Sequence, residues 1–272
     1  MYLDASAVTR LGRTPHEEQP DSTRCRATIH DGWDILGNTH GGYLLAIVGR
    51  SIAEVTGRPD PMTITAHYLS PGRPGPVSID VETVKEGKRF STARATMLNA
   101  DSKPVITALA TYGDLSEGGE FPTWIDGAAP DVLPRQECVE MGAQETTPEF
   151  MRRVDLLIDP RDLGFVFGER TGMPRYRGWF RLGDGELLTT DALLVAIDAF
   201  PPTIFNLDLP MGWAPTVELT GHIRAVPVDD WLCCEVRTRF VSTGFMEVDG
   251  WYWDAAGTLV AQSRQLALLP RG

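Results

Sequence analysis

The sequence predicts an α+β protein built from two tandem copies of one unit, in each of which antiparallel strands wrap a single apolar helix. Three observations predict it: a self-match at a spacing of 155 residues, strand runs in the same order in both copies, and one apolar helical stretch ahead of each set. The chain has 272 residues, of which 42% are hydrophobic and 23% charged. That is the balance of a globular protein with a core to bury, not of a disordered or fibrous chain.

Laying residues 63–69 (TITAHYL) over 218–224 (ELTGHIR) aligns His67 with His222, and 222 − 67 = 155. Kept without a gap, the same offset sets Val81 on Val236, Thr83 on Thr238, Phe90 on Phe245 and Val105 on Val260. In the first copy, residues 62–69, 77–84, 91–98 and 105–112 are alternating or β-branched runs separated by PGRPGP, EGKRF and NADSKP, which reads as strands joined by turns. The second copy repeats the order at 216–224, 232–240, 247–253 and 259–268, with DAAG as its last turn.

The helical stretches are 41–55 (GGYLLAIVGRSIAEV), with Asn38 or Thr39 as N-cap, and 191–200 (DALLVAIDAF), capped by Thr190 or Asp191 and stopped by Pro201-Pro202. Lead-in strands are expected at 24–30 in the first copy, and at 154–158 with 178–182 in the second. A helix apolar on nearly every side has to be wrapped by the sheet. That arrangement is the hotdog fold, here a double hotdog with a continuous sheet around two helices. The expected domains are an N-terminal hotdog over 1–114, a linker over 115–150 that is rich in Gly, Pro and Glu and runs over the surface, and a C-terminal hotdog over 151–272.

With 25 Lys+Arg against 37 Asp+Glu the net charge is −12, a field that repels phosphate backbones and anionic headgroups, so neither nucleic acid nor a membrane surface is an expected partner. The N-terminal residues lack a basic start followed by an apolar run, and no apolar stretch approaches the roughly 18 residues of a membrane span, so a cytoplasmic protein is expected. The four cysteines have no metal-ligand or redox spacing, and the adjacent Cys233 and Cys234 face opposite sides of a strand. All four are expected to be unreactive. There is no GxSxG elbow, Walker loop, dinucleotide fingerprint or HExxH motif, which disfavours a serine hydrolase, a nucleotide enzyme and a zinc peptidase.

Asp198 stands out on physical grounds, lying among Leu193, Leu194, Val195, Ile197 and Phe200. On a wrapped helix it is desolvated, which raises a carboxyl toward the range useful for a base. The alternative is an Asp at a helix end that leans into solvent or caps the Pro-Pro turn.

The segments HGGYLLA (40–46), TAHYLSP (65–71), ALATY (108–112), AIDAFPP (196–202), PTVEL (215–219) and LVAQSRQ (259–265) together resemble double-hotdog acyl-CoA thioesterases, of the type II acyl-CoA thioesterase and thioesterase-like superfamily. The resemblance implies hydrolysis of a fatty acyl-CoA by a water activated by an Asp, a Thr and a Gln of the second hotdog. Motif by motif these correspond to Asp198, Thr216 and Gln265. The first copy has Tyr43, Pro61 and Ala110 at the equivalent positions, so one active site per chain follows.

A hydroxyl and a carboxamide can hold a water while a carboxylate takes its proton. Gly41 and Gly42 open the first helix, where backbone N–H groups and the positive end of the dipole suit the oxyanion of an attacked thioester; the alternative is that they only permit close passage of the chain. His40 is a further polar candidate and Glu218, taken as sharing the strand face of Thr216, a substitute base. His67 and His222 read as structural. Trp251 and Trp253 share a face that lines an acyl tunnel or packs the core, and Lys85, Lys88 and Arg89 meet CoA phosphates or simply solvate a turn.

No metal or redox cofactor is called for, the expected partner is an acyl-CoA, and self-association into a homo-oligomer is expected. Two other readings stay open: a hotdog hydratase of enoyl thioesters, using His40 with Asp198 or Glu218, and an acyl-CoA-binding protein without turnover.

Overall fold

Strand positions in this computed structural model follow from alternation, with inward residues apolar and outward ones polar. The structure describes residues 1–13, 22–116, 124–142 and 147–270. The first half holds β1 (Val8–Arg13), β2 (Ser22–Ile29), helix α1 (Gly41–Thr56), β3 (Asp60–Tyr68), β4 (Gly75–Glu86), β5 (Ser91–Leu98) and β6 (Pro104–Gly113). The second holds the short β7 (Val139–Glu140), β8 (Val154–Ile158), β9 (Arg175–Leu182), helix α2 (Leu193–Ala196), β10 (Thr216–Ile223), β11 (Leu232–Arg237), β12 (Phe245–Trp253) and β13 (Leu259–Leu268).

Among the described residues these strands form one antiparallel sheet in the order β1-β2-β4-β5-β6-β3-β10-β13-β12-β11-β9-β8-β7. The halves join where β3 pairs with β10, and Thr65 lies opposite Thr220, with their hydroxyls 2.8 Å apart. Since 220 − 65 = 155, each of these residues faces its own repeat equivalent, and the seam is the pseudo-two-fold axis of the duplicated chain. The sheet wraps the helices in a double hotdog. Every residue of α1 from Gly42 to Gly49 is buried, as an all-round apolar helix requires.

Four features differ from the sequence expectation. The α1 N-cap is His40, whose Nδ1 accepts the Tyr43 N–H at 3.1 Å, and not Asn38 or Thr39. Helix α2 is a single turn, not ten residues. Pro201 and Pro202 cannot continue the ladder, and the chain tightens so that Asp198 N–H donates to Val195 O at 3.2 Å and Ala199 N–H to Ala196 O at 3.2 Å. Neither predicted cap of α2 is used: Thr190 donates to Asp60, and Asp191 accepts from Arg50, Tyr2 and Thr189. By register β9 alone is the counterpart of the lead-in β2, whereas β8 matches the edge strand β1, which has no separate sequence signal.

The stretch between the halves is only partly a surface run. Residues 117–123 and 143–146 of that predicted linker lie outside the described residues. Its middle straps the outer face of the sheet: Trp179 Nε1–H donates to Leu133 O at 2.9 Å and Arg177 Nη1 to Asp131 O at 2.9 Å. Asp159 ties this strap down. Burial alone would raise its carboxyl, but the Arg161 guanidinium and the backbone N–H groups of Leu133 and Arg161 together hold it at about 2. The end of the stretch turns inward, with Phe150 fully buried. No helix among the described residues is long and apolar enough to cross a membrane.

Candidate active site

The site forms where the tightened turn after α2 meets the N-terminus of α1. Asp198 Oδ2 accepts the backbone N–H of Gly42 at 2.8 Å, and its Oδ1 accepts Gln265 Nε2–H at 3.0 Å. Gln265 Nε2 also reaches Thr216 Oγ1. The three residues that the motif comparison implies are thus one hydrogen-bonded cluster, drawn from a turn and from two paired strands. Burial raises the Asp198 carboxyl, and the hydrogen bonds from the Gly42 N–H and Gln265 pull it back only in part.

A β-bulge makes this meeting possible. Ala267 lies opposite Thr216 and Gln265 opposite Leu219, so two steps along β13 match three along β10, with Val217 as the extra residue. The bulge turns Thr216 inward with Leu219. The first half carries the same irregularity at Met62, and 217 − 62 = 155. Glu218 therefore does not share the Thr216 face. It lies in an outer groove with His222 and Trp251, where its Oε1 accepts the Thr220 hydroxyl at 2.5 Å.

Gly41 and Gly42 are required by close packing. A Cβ on Gly42 would sit 2.6 Å from Leu194 O and 3.0 Å from Asp198 Cβ, and one on Gly41 would sit 2.8 Å from Asp198 Oδ2. The Gly42 N–H is engaged by the Asp198 carboxylate, while Gly41 lines the cavity described below. His40 clamps the assembly from behind. Because its Nδ1 accepts from Tyr43, its Nε2 carries the proton and donates to the Asp198 carbonyl at 2.9 Å. Its ring stacks on Phe150 with centroids 3.8 Å apart and planes 6° apart, and burial lowers its pKa, so the imidazole is neutral.

Asp198, Thr216, Gln265 and Gly41 all line a cavity of about 740 Å³, whose other walls are mainly apolar and include Leu44, Met151, Phe200, Phe205, Trp213 and Val248. That volume and lining suit a small-molecule site. Other sequence candidates stand apart. His67 and His222 are exposed on the outer face. Trp253 is buried away from the cavity and Trp251 lines the outer groove, while Tyr252 between them faces the cavity. Lys85 lies at the end of β4, and Lys88 and Arg89 belong to the β4–β5 turn, bound by Arg58 just past the α1 C-terminus, a 16-residue helix or roughly 24 Å from Asp198.

The thiols have no catalytic setting: burial pushes Cys25 and Cys138 up to about 11 and Cys233 to about 12. Among the described residues no three His, Cys, Asp or Glu side chains are grouped to hold a metal ion. Two participants were missed by sequence reasoning. Phe150 carried no signal, sitting in a stretch without periodicity. Tyr68 did, because alternation with Ile64 and Ala66 points it inward.

The sequence profile of the acyl-CoA thioesterase N-terminal domain matches residues 29–113, and that of the acyl-CoA thioesterase C-terminal domain matches residues 134–269. The chain belongs to the acyl-CoA thioesterase family. Among relatives of this thioesterase-family chain, an uncharacterized protein of Mycobacterium tuberculosis is 26% identical over 98% of this chain and 99% of its own length. A crystal structure from Thermobifida fusca, described as a candidate thioesterase II, superposes with a TM-score of 0.87 at 27% identity, covering 99% of this chain and 97% of that one. A hotdog-fold protein of unknown function from Alicyclobacillus acidocaldarius gives a TM-score of 0.84 at 20% identity, covering 100% and 98%, and speaks to the fold alone. The C-terminal profile begins inside the linker expected from the sequence, upstream of β7.

Proposed function

We propose that this protein hydrolyses the thioester of a fatty or related acyl-CoA, acyl-CoA + water → free acid + CoA-SH, with Asp198 as base. The observation that carries the reading is the hydrogen-bonded Asp198–Gln265–Thr216 cluster on the wall of a large apolar cavity. The acyl chain occupies the cavity. A water held by Thr216 and Gln265 gives its proton to Asp198 as its oxygen bonds to the carbonyl carbon. The oxyanion, facing Gly41 at the positive end of α1, collapses with breakage of the C–S bond, and the thiolate takes up the proton from Asp198. A carboxyl raised by burial suits both proton transfers.

The hydratase reading loses its His, because His40 is fully buried behind Asp198 and is spent on the Tyr43 N–H and the Asp198 carbonyl. A cytoplasmic homo-oligomer serving lipid metabolism belongs to the same proposal. The test is thiol release from a panel of acyl-CoAs, short to long and including aromatic acyl groups, by wild type and Asp198→Asn. Loss of roughly 10²–10⁴-fold in kcat in a folded variant is expected for removal of a general base. No thiol release by wild type on any substrate would sink the hydrolase reading and favour a binding protein.

A further inference from the structure

Tyr68 ends β3 at the wall of the cavity, and its phenol oxygen is buried without a hydrogen-bond partner. A buried unpaired hydroxyl costs stability, so its retention calls for a use. The position is specific. The point where a Cβ on Gly41 would sit is 3.1 Å from Tyr68 Cζ and 2.8 Å from Asp198 Oδ2, so the phenol and the carboxylate both press against the first residue of α1.

We propose that the Tyr68 hydroxyl is a catalytic hydrogen-bond donor that binds the substrate's thioester carbonyl oxygen together with the Gly41 end of α1. This rests on the hydrolase reading above. The cavity supplies no other partner to that oxygen, whereas a thioester whose carbonyl carbon sits beside the Asp198-bound water brings a carbonyl oxygen to Gly41. As the oxygen gains charge on attack of water, the phenol O–H strengthens its hydrogen bond without giving up its proton. Burial, together with the negative charges of Asp198 and Glu218, holds Tyr68 protonated far above neutral pH, so it stays a donor throughout. No bond to Tyr68 forms or breaks. The donor also orients: an acyl group that fills the cavity with its carbonyl turned away leaves the phenol unpaired and is a poor substrate.

Tyr68→Phe deletes an oxygen that makes no contact the fold needs, and a midpoint of thermal unfolding no lower than wild type is expected. Tyr112 gives the control, since its hydroxyl is also buried and unpartnered but does not line the cavity. The experiment measures steady-state thiol release by wild type, Tyr68→Phe and Tyr112→Phe. It also measures binding of two inert analogues, a ketone with CH2 in place of sulfur, which keeps the carbonyl, and an S-alkyl-CoA, which lacks it.

Expected are a fall in kcat of roughly 10- to 100-fold in Tyr68→Phe with KM raised by no more than about 10-fold, and wild-type kcat in Tyr112→Phe. The ketone is expected to bind Tyr68→Phe about 3- to 10-fold more weakly, and the S-alkyl-CoA equally well. A Tyr68→Phe kcat within twofold of wild type overturns the proposal, as does equal weakening of both analogues, which marks a packing role. If wild type releases no thiol from any acyl-CoA, the hydrolase reading fails, and the two analogues alone decide whether Tyr68 grips a carbonyl.

Discussion

Asp198 combines two opposing demands. To act as the proposed base it has to be ionised, yet it sits where burial disfavours the charge, and the hydrogen bonds from the Gly42 N–H and Gln265 offset that cost only in part. The sign of the pH dependence follows. The proposed base is competent above its raised pKa and is lost as the pH falls through it, so the acid limb of kcat/KM is expected above the ordinary carboxyl value of 3.8. A pH–rate profile checks this, and a limb at or below that value contradicts a desolvated base. Most of the residue's character was legible in the sequence, because an Asp inside a run of Leu, Val and Ile has few polar neighbours at hand. What was not legible is the direction in which it leaves its turn, since that depends on the i→i−3 bonds that run through the segment ahead of Pro201 and Pro202.

At the level of elements, the decisive local structure is the bulge at Val217. Simple alternation along β10 places Thr216 beside Glu218, and the sequence reading followed that rule. β10 is paired on both flanks, so its register answers to β3 and β13 as well as to its own residues. No sequence signal marks the bulge, although the structure repeats it in the first half at Met62. The end of the linker is the other element that sequence patterning left blank. Phe150 lies under His40, which holds the Asp198 backbone, so packing there bears on the proposed base. Phe150→Ala is expected to cost about 3–5 kcal/mol in urea unfolding, as for other large-to-small core changes, and to lower kcat by loosening His40. Wild-type stability in that variant would show that the stack does not support the clamp.

For the whole molecule, the 155-residue spacing read from the sequence reappears as a seam in which Thr65 faces Thr220. Strand order, the halves and the wrapping were therefore legible before any coordinates. The division of labour between the halves was implied by the resemblance, but the grip of His40 on the Asp198 backbone was not. The second half supplies Asp198, Thr216 and Gln265, and the first supplies the helix end and the histidine that hold them. Because the equivalent positions in the first half are Tyr43, Pro61 and Ala110, the duplicated fold is expected to bind one inert acyl-CoA analogue per chain. Titration calorimetry giving two equal sites per chain would contradict this.

The Gly42–Asp198 hydrogen bond has a temporal meaning as well as a spatial one. It closes a loop of 156 residues, and Gln265 joins it from still later in the chain. Contacts so distant in sequence are late to form, since the entropy of closing long loops has to be met first. A first half with its helix and strands in place is therefore an inert shell. The proposed chemistry can begin only when the last long strand has docked, which would make catalytic competence a property of the finished molecule and of no part of it made earlier.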